Sequence, residues 1–453
     1  MSNITIVGCG YVGLVTGAVL SKLGNKVVGV DIDSERIAKL NAGICPIYEP
    51  GLMELINEQA RNGKLRFTTK YEDAIPDSKF VFICVNTPPS PHGGADMRFV
   101  RNAAREIGRN LSVQHKTIVI NKSTMPPGSG DMVEAILSEE AEPEAEFAVV
   151  ANPEFLREGS ALQDMLNPDR IVLGSKDQEA AEAVASLYSS FTCPILLTNI
   201  RTAEMIKYAA NAFLAMKISF INEMAQICEA IGADVRQVST GIGLDKRIGT
   251  HFLQAGIGFG GSCFPKDAQA LEYVASISDC YPRILKAVLE VNRESRRRFV
   301  TKIDKVVGGL YDKTVGVWGL AFKANTDDIR EAPALDIIPE LLSRGANVKV
   351  YDPAAMENAR RILPERVSFC EDVYTVAENA HVLAIITDWE QFRSVDLTRV
   401  KKLMATHKIV DGRNIFDPEL VRGLGFEYVG IGIPCCPSES ERYLPQASVP
   451  IWH

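Results

Sequence analysis

No Cys-x-x-Cys pair occurs in the chain, and no cysteine–histidine cluster stands at zinc-ligand spacing, so a structural metal is not expected. The ten cysteines are scattered at positions 9, 45, 84, 193, 228, 263, 280, 370, 435 and 436, which suits a reducing cytoplasm. An excess of positive charge is also lacking, with 49 lysines and arginines against 57 aspartates and glutamates. The net charge of −8 argues against a nucleic-acid footprint and gives no basic stripe for an anionic membrane. An anionic ligand would need locally placed lysine and arginine. Long apolar runs are missing as well. Residues 1–21 carry no charged side chain, but they lack a basic leader and are interrupted by Gly8, Gly10, Gly13 and Gly17, unlike a signal peptide. The uncharged stretch from Gly249 to Pro265 is full of glycine, so no membrane span is expected.

What is present is an ordinary globular composition, 46% hydrophobic and 23% charged over 453 residues, enough chain for about three domains. Asn3–Val7 reads as a short apolar strand. It is followed at once by Gly8-Cys-Gly10-Tyr11-Val12-Gly13, a helix expected from Leu14 to Leu23, and a second strand, Lys26–Val30, ending at Asp31. This is a dinucleotide fingerprint in strand–turn–helix context. The first glycine makes the turn, the second admits a pyrophosphate and the third lets helix pack on strand. Asp31 suits ribose hydroxyls and would repel a 2′-phosphate, which favours NAD over NADP. Arg36 is either an adenine-side contact or a solvated helix cation. Further strands at Phe80–Val85 and Thr117–Asn121 end in small polar residues, among them Thr87 and Thr124. Beyond the carboxyl ends of such strands, these two point toward a cofactor, although turn and cap roles fit them equally.

The chain is organised around Gly256-Ile-Gly-Phe-Gly260-Gly-Ser-Cys263-Phe-Pro-Lys266-Asp267. Its glycines clear the backbone for a ligand. Ser262 is placed to cap a helix and Pro265 suits a first turn. A thiol at that helix start, beside Lys266, is biased toward thiolate and so toward nucleophilic use. The competing reading is a small buried hydrophobe in a tight turn. Upstream, Asn152-Pro-Glu154-Phe155-Leu156-Arg157-Glu158 follows the strand Phe147–Ala151, so its carboxylates can reach a ligand or form a solvated face. From Thr202 to Ile231 apolar residues recur at helical spacing, with Gly232 as a stop. Such a helix is roughly 40 Å long, enough to link two domains and offer a dimer surface. Lys207 and Asn211 share one of its faces.

Near the C-terminus the pattern repeats. Thr314–Phe322 is a strand and turn, Ala334–Ser343 a helix, and Asn347–Asp352 a strand ending in an acid, with more strands at His381–Ile386 and Lys408–Asp411. The fold class expected is α/β, with two Rossmann-like, doubly wound parallel-sheet domains joined by a long central helix. Lys323 and Arg330 fall in the second domain's first strand-to-helix loop, where an anion would sit.

Taken together, GCGYVG at 8–13, NPEFLREG at 152–159, NPDRIVLG at 167–174, KYAAN at 207–211, GFGGSCFPKD at 258–267 and FKANTDDIRE at 322–331 resemble the UDP-glucose 6-dehydrogenase family, within the wider UDP-glucose/GDP-mannose dehydrogenases. The resemblance covers nearly the whole chain. It implies an NAD-binding domain over 1–200, a central helical dimerisation region carrying the cysteine over 201–300 and a UDP-sugar domain over 301–435, while the proline, serine and glutamate that dominate after Ile433 predict a flexible tail over 436–453. It also implies four-electron oxidation of the C6 alcohol of UDP-glucose to UDP-glucuronate, using two NAD and one water. Cys263 would carry a thiohemiacetal and then a thioester. Lys207 and Asp267 would assist deprotonation, with a water held by Thr124 and Asn211. Lys207 and Asn211 would stabilise oxyanions, and Glu154 or Asp267 would be the hydrolytic base.

By the same resemblance the NAD positions are Gly8, Gly10, Tyr11, Val12, Gly13, Asp31, Arg36, Thr87, Thr124, Glu158, Lys266 and Arg330. The sugar-nucleotide positions are Glu154 to Glu158, Lys207, Asn211, Phe252, Leu253, Gln254, Ala255, Gly256, Gly260, Phe322, Lys323 and Arg413, with Arg247 supplied by the second subunit of a homodimer. Gln254 stands where the family often has lysine, and Ser160 where it often has threonine. Other readings are the same chemistry on GDP-mannose or another nucleotide sugar, a two-electron hydroxyacid dehydrogenase with Cys263 idle, and a sugar-nucleotide-binding protein without catalysis.

Overall fold

A computed structural model describes residues 1–434, so the tail expected over 436–453 lies outside the described residues. The chain divides into two compact units, one of Met1–Asn211 with Gln269–Cys280, the other of Ala212–Ala268 with the chain from Tyr281 onward.

The first unit is built on eight strands: β1 (Asn3–Val7), β2 (Lys26–Val30), β3 (Leu65–Thr68), β4 (Phe80–Ile83), β5 (Thr117–Asn121), β6 (Phe147–Ala151), β7 (Ile171–Ser175) and β8 (Ile195–Thr198). Their order is β3-β2-β1-β4-β5-β6-β7-β8. β4 and β5 are buried along their whole length, as strands covered by helices on both faces must be, and their sequences are accordingly apolar runs without alternation. The sheet is parallel with one exception. β6 and β7 are antiparallel, pairing Val150 with Ser175 and Ala151 with Gly174, a detail the sequence reading did not contain. After β6 the chain makes only the short helix Ala161–Leu166 before β7, and it enters β7 at the same end of the sheet instead of crossing back.

The second unit repeats the design with β9 (Thr314–Trp318), β10 (Asn347–Tyr351), β11 (Ser368–Phe369), β12 (Val382–Ile385), β13 (Lys408–Asp411) and β14 (Glu427–Val429), all parallel, in the order β11-β10-β9-β12-β13-β14. The repeat extends to hydrogen bonds. In the first unit the Cys9 N–H donates to the Asp31 carboxylate at 2.8 Å. In the second the Leu320 N–H donates to Asp352 at 2.7 Å. Each acid at the end of a second strand thus ties down the turn after a first strand. In both sheets the strand order reverses beside that turn, which is where such folds bind ligands.

Four helix starts differ from the sequence reading, one of them by a single residue, at Pro333 in place of Ala334. The first helix spans Tyr11–Lys22, because Gly10 takes extended cap geometry and the helix begins inside the fingerprint. The long helix spans Ile200–Ile231, 32 residues or about 48 Å, because the Asn199 side chain accepts the Thr202 N–H at 2.8 Å and caps it early. The helix after the glycine loop spans Phe264–Ile277. Cys263, not Ser262, stands immediately before it, and its carbonyl accepts the Asp267 N–H at 2.8 Å. Among the described residues no helix is long and apolar enough to cross a membrane.

Candidate active site

In the first unit the glycines of the fingerprint do different work. A Cβ on Gly13 would stand 1.8 Å from the Gly8 carbonyl oxygen, so this position admits only glycine while the turn holds its shape. A Cβ on Gly10 would meet nothing closer than the Asn86 side chain at 3.8 Å. That position is open, as it must be if a pyrophosphate is to approach the backbone at the helix N-terminus. Asp31 is buried and accepts from the Cys9 N–H, the Asp33 N–H and Arg36, the last at 3.0 Å. Arg36 is therefore committed to the acid. An open cradle ending in an oriented carboxylate fits a dinucleotide with ribose hydroxyls. The Thr87 hydroxyl donates to the Thr124 carbonyl at 2.8 Å, tying together the loops after β4 and β5.

Past β6 the chain builds a buried charged cluster. Glu154 and Lys207 pair at 3.0 Å with side chains 5% and 3% exposed. The second Glu154 oxygen accepts the Leu156 N–H at 2.6 Å, and the Thr124 hydroxyl lies 3.4 Å from the first. Burial works against charge on Glu154, but the Lys207 ammonium and the Leu156 N–H outweigh it and hold the carboxyl below its usual range. Phe155 is covered by the Arg170 guanidinium, 3.6 Å from the ring centroid, with Lys207 at 5.5 Å. Asn211 is buried one turn beyond Lys207, and Glu158 is buried as well. Arg157 points elsewhere, forking onto Asp164 at 2.6 and 3.1 Å.

The second unit carries the glycine loop and the thiol. The loop is held from several sides. Asn222 accepts the Gly256 N–H at 2.8 Å. Asn292 both accepts from and donates to the Phe259 backbone, at 2.7 and 3.0 Å. Arg296 donates to the carbonyls of Phe259 and Glu331. A Cβ on Gly260 would lie 2.3 Å from the Glu331 oxygen, so the loop and the Phe322–Glu331 segment touch backbone to backbone. Arg413 spends its guanidinium on the carbonyls of Ile386, Gly258 and Phe322, which makes it a brace for this corner. Phe252 is held at a φ of 64°, Leu253 and Ala255 are buried, and Gln254 is exposed. Lys323 lies 5.6 Å from the Phe322 ring centroid. Arg330 pairs with Asp328 at 2.7 Å, and Arg247, exposed on the surface, pairs with Asp245 at 2.6 Å. Asp267 is buried and bonded to Lys266 at 2.8 Å.

Several structural supports escaped the sequence reading. Glu49 is buried, bonded to the Tyr11 hydroxyl, and accepts the N–H groups of Gly159 and Leu162 at 2.7 and 3.2 Å. It fixes the end of the 152–159 motif to the fingerprint helix. Lys122 is buried with its ammonium on Asn152 at 3.2 Å, and burial pushes it below the usual lysine range. Asn222 and Asn292 were legible by the cue that flagged Asn211, a polar residue on an otherwise apolar helix face. Glu49 offers no such cue, since it lies in a loop.

Three family models match the chain: UDP-glucose/GDP-mannose dehydrogenase family, NAD binding domain over residues 2–192, central domain over 201–294, and UDP binding domain over 316–418. The chain is 47% identical over 448 residues to the UDP-glucose 6-dehydrogenase TuaD of Bacillus subtilis, covering 98% of this chain and 96% of that protein. It is 46% identical over 439 residues to a UDP-glucose 6-dehydrogenase of Rhizobium meliloti, covering 95% and 100%. Its fold is similar to that of a UDP-glucose dehydrogenase from Pyrobaculum islandicum, with a TM-score of 0.90 and 41% identity over 96% of this chain and 98% of that one.

Proposed function

Because the chain belongs to the UDP-glucose/GDP-mannose dehydrogenase family, we propose that it is an NAD-dependent UDP-glucose 6-dehydrogenase, converting UDP-glucose and one water into UDP-glucuronate in two oxidations. The observation that carries this reading is Cys263, presented at a helix N-terminus by a glycine loop that hydrogen bonds with Asn222, Asn292, Arg296, Arg413 and the Arg330 carbonyl hold in place. A loop braced so heavily positions a reacting atom. NAD, when bound, accepts the hydride in each oxidation.

The turn at Gly8, with the open Gly10 and the closely packed Gly13, would hold the pyrophosphate at the helix N-terminus, and Asp31 would take the ribose hydroxyls. As the C6 hydroxyl loses its proton, the Lys207 ammonium stabilises the developing oxyanion and Asn211 donates to the same oxygen. Asp267, assisted by a water, receives the proton. Cys263 Sγ then forms a bond to the aldehyde carbon, holding the intermediate until the second oxidation leaves a thioester. Water attacks the thioester carbonyl with Glu154 or Asp267 as base, the C–S bond breaks, and thiolate and carboxylate result. The family resemblance further assigns Lys266, Glu158, Thr87, Thr124 and Arg330 to the cofactor, and residues 252–256, Gly260, Phe322 and Lys323 to the sugar nucleotide. The test is NADH formed per UDP-glucose at limiting sugar nucleotide. Two NADH per sugar are expected, and one would sink the acid-forming mechanism.

We further propose that the enzyme is a cytoplasmic homodimer through the long helix. Phe213, Phe220 and Ile227 recur at seven-residue spacing and are 58%, 45% and 47% exposed, a stripe that a second copy of the same helix would cover by two-fold symmetry. Arg247 is then the residue offered to the neighbouring subunit. Phe220→Asp should convert the dimer to monomer in light scattering. An unchanged mass would remove this interface from consideration.

A further inference from the structure

Beside the Lys207–Glu154 pair lies a small cavity of about 10 Å³, lined by Asn121, Thr124, Ala151, Glu204 and Lys207 among others. Two of its walls are informative. Asn121, the last residue of β5, is 3% exposed, and neither its amide nitrogen nor its amide oxygen has a hydrogen-bond partner. Glu204, one helical turn before Lys207, is buried with its carboxyl oxygens on the Gly128 and Gly130 N–H groups at 2.7 and 2.8 Å. That explains its presence as a cap of the Ser129–Glu140 helix. Each oxygen still keeps a lone pair. A space of water size, bounded by an amide with nothing to bond to and a carboxyl with acceptor capacity to spare, is a polar hydration site.

We propose that one ordered water occupies this cavity, bonded to the Asn121 amide, the Glu204 carboxyl and the Lys207 ammonium, and that through it Glu204 acts as a positioning residue for that ammonium. This rests on Lys207 serving in the oxidation proposed above. The water proposed here is bonded to Asn121 and Glu204, whereas the one assigned above would be held by Thr124 and Asn211. Glu204 is also placed to make that support depend on pH. Burial pushes its carboxyl up to about 7, Asp131 adds to the rise, and the Gly128 and Gly130 N–H groups and Arg201 oppose it. The charged groups around it are Asp131 on the neighbouring helix, with Lys176 bound to it, Arg201 and Lys207 on its own helix, and Glu154 after β6. As pH rises through 7 the carboxyl becomes charged and the bridged ammonium is held more firmly, so turnover should rise with it.

Two measurements test this on the full-length enzyme. The pH profile of kcat for wild type should show an inflection near 7 that E204Q lacks, with kcat of E204Q lower by about 10-fold at pH 8. A role confined to capping would lower the melting temperature and leave the inflection in place, which would overturn the proposal. A crystal structure at a resolution that shows ordered water should place one molecule on Asn121 in wild type and none in N121L. A dry cavity in wild type would equally overturn it. A third readout does not need the reaction. A carboxyl raised from its unfolded value contributes stability present below about 4.5 and lost as pH rises through about 7, so E204Q should gain melting temperature on wild type between pH 5 and pH 8.5. If UDP-glucose proves not to be oxidised while the water and this stability trend are found, the functional reading fails and the hydration site stands.

Discussion

Cys263→Ala is expected to lower UDP-glucuronate formation by about 10⁴-fold or more, the scale seen when a covalent nucleophile is removed. The reason lies in the chemistry of the second oxidation. An aldehyde held by hydrogen bonds alone can leave, whereas a thiohemiacetal cannot, and only the sulfur adduct retains a C–H that departs as hydride to leave a hydrolysable thioester. Cys263 also stands immediately before the first turn of the Phe264–Ile277 helix, a position where the helix N-terminus favours a thiolate. Anaerobic single-turnover assays with chromatography of the sugar nucleotides check the result. Retention of full activity with two NADH per sugar would remove Cys263 from the mechanism. The loop should survive the change, because its braces from Asn222, Asn292, Arg296 and Arg413 fall on backbone groups and none on the sulfur.

Lys207→Met should combine a catalytic loss with a change in the pH dependence of stability. Removing the ammonium leaves Glu154 buried without its counter-charge, a defect that costs about 3–5 kcal/mol. Loss of an oxyanion donor lowers kcat by about 10²–10³-fold. The signs differ between the two proteins. In wild type the Glu154 carboxyl is held below its usual range, with burial outweighed by Lys207 and the Leu156 N–H. Its contribution to stability is therefore present above about 4.5 and lost as pH falls through the lowered value. In the variant burial is opposed only by the Leu156 N–H and the Lys122 charge, the carboxyl rises, and stability is instead lost as pH increases toward neutrality. Melting temperatures from pH 4.5 to 8 should thus fall more steeply with pH for K207M than for wild type, and adding Glu154→Gln should restore stability without restoring activity. Parallel curves for the two proteins would mean that the pair is not the electrostatic unit described here.

Much of the fold was legible because its signals are local. The apolar strand, the glycine turn and the acid of residues 3–31 each report a backbone requirement in their own residue type, and the partial copy at 314–352 does the same. The boundaries moved where a cap is written in a neighbouring residue, as with Asn199 before the long helix. The short strands β3, β8, β11 and β14 and the antiparallel β7 carry too little pattern to announce themselves, because pairing with an existing sheet edge, not propensity, makes them strands.

The sequence by itself determined the two Rossmann-like units, the dinucleotide turn, the thiol at a helix start and the family. These rest on short-range constraints, such as a glycine that cannot bear a Cβ or an acid that ends a strand. Only the tertiary structure decided the partners: Lys207 on Glu154, Glu49 on the fingerprint helix, Arg413 as a brace and Asn121 beside a water-sized space. Each joins residues tens to more than a hundred positions apart. Burial sets the strength of such contacts, and burial is a property of the packed chain that no local pattern encodes.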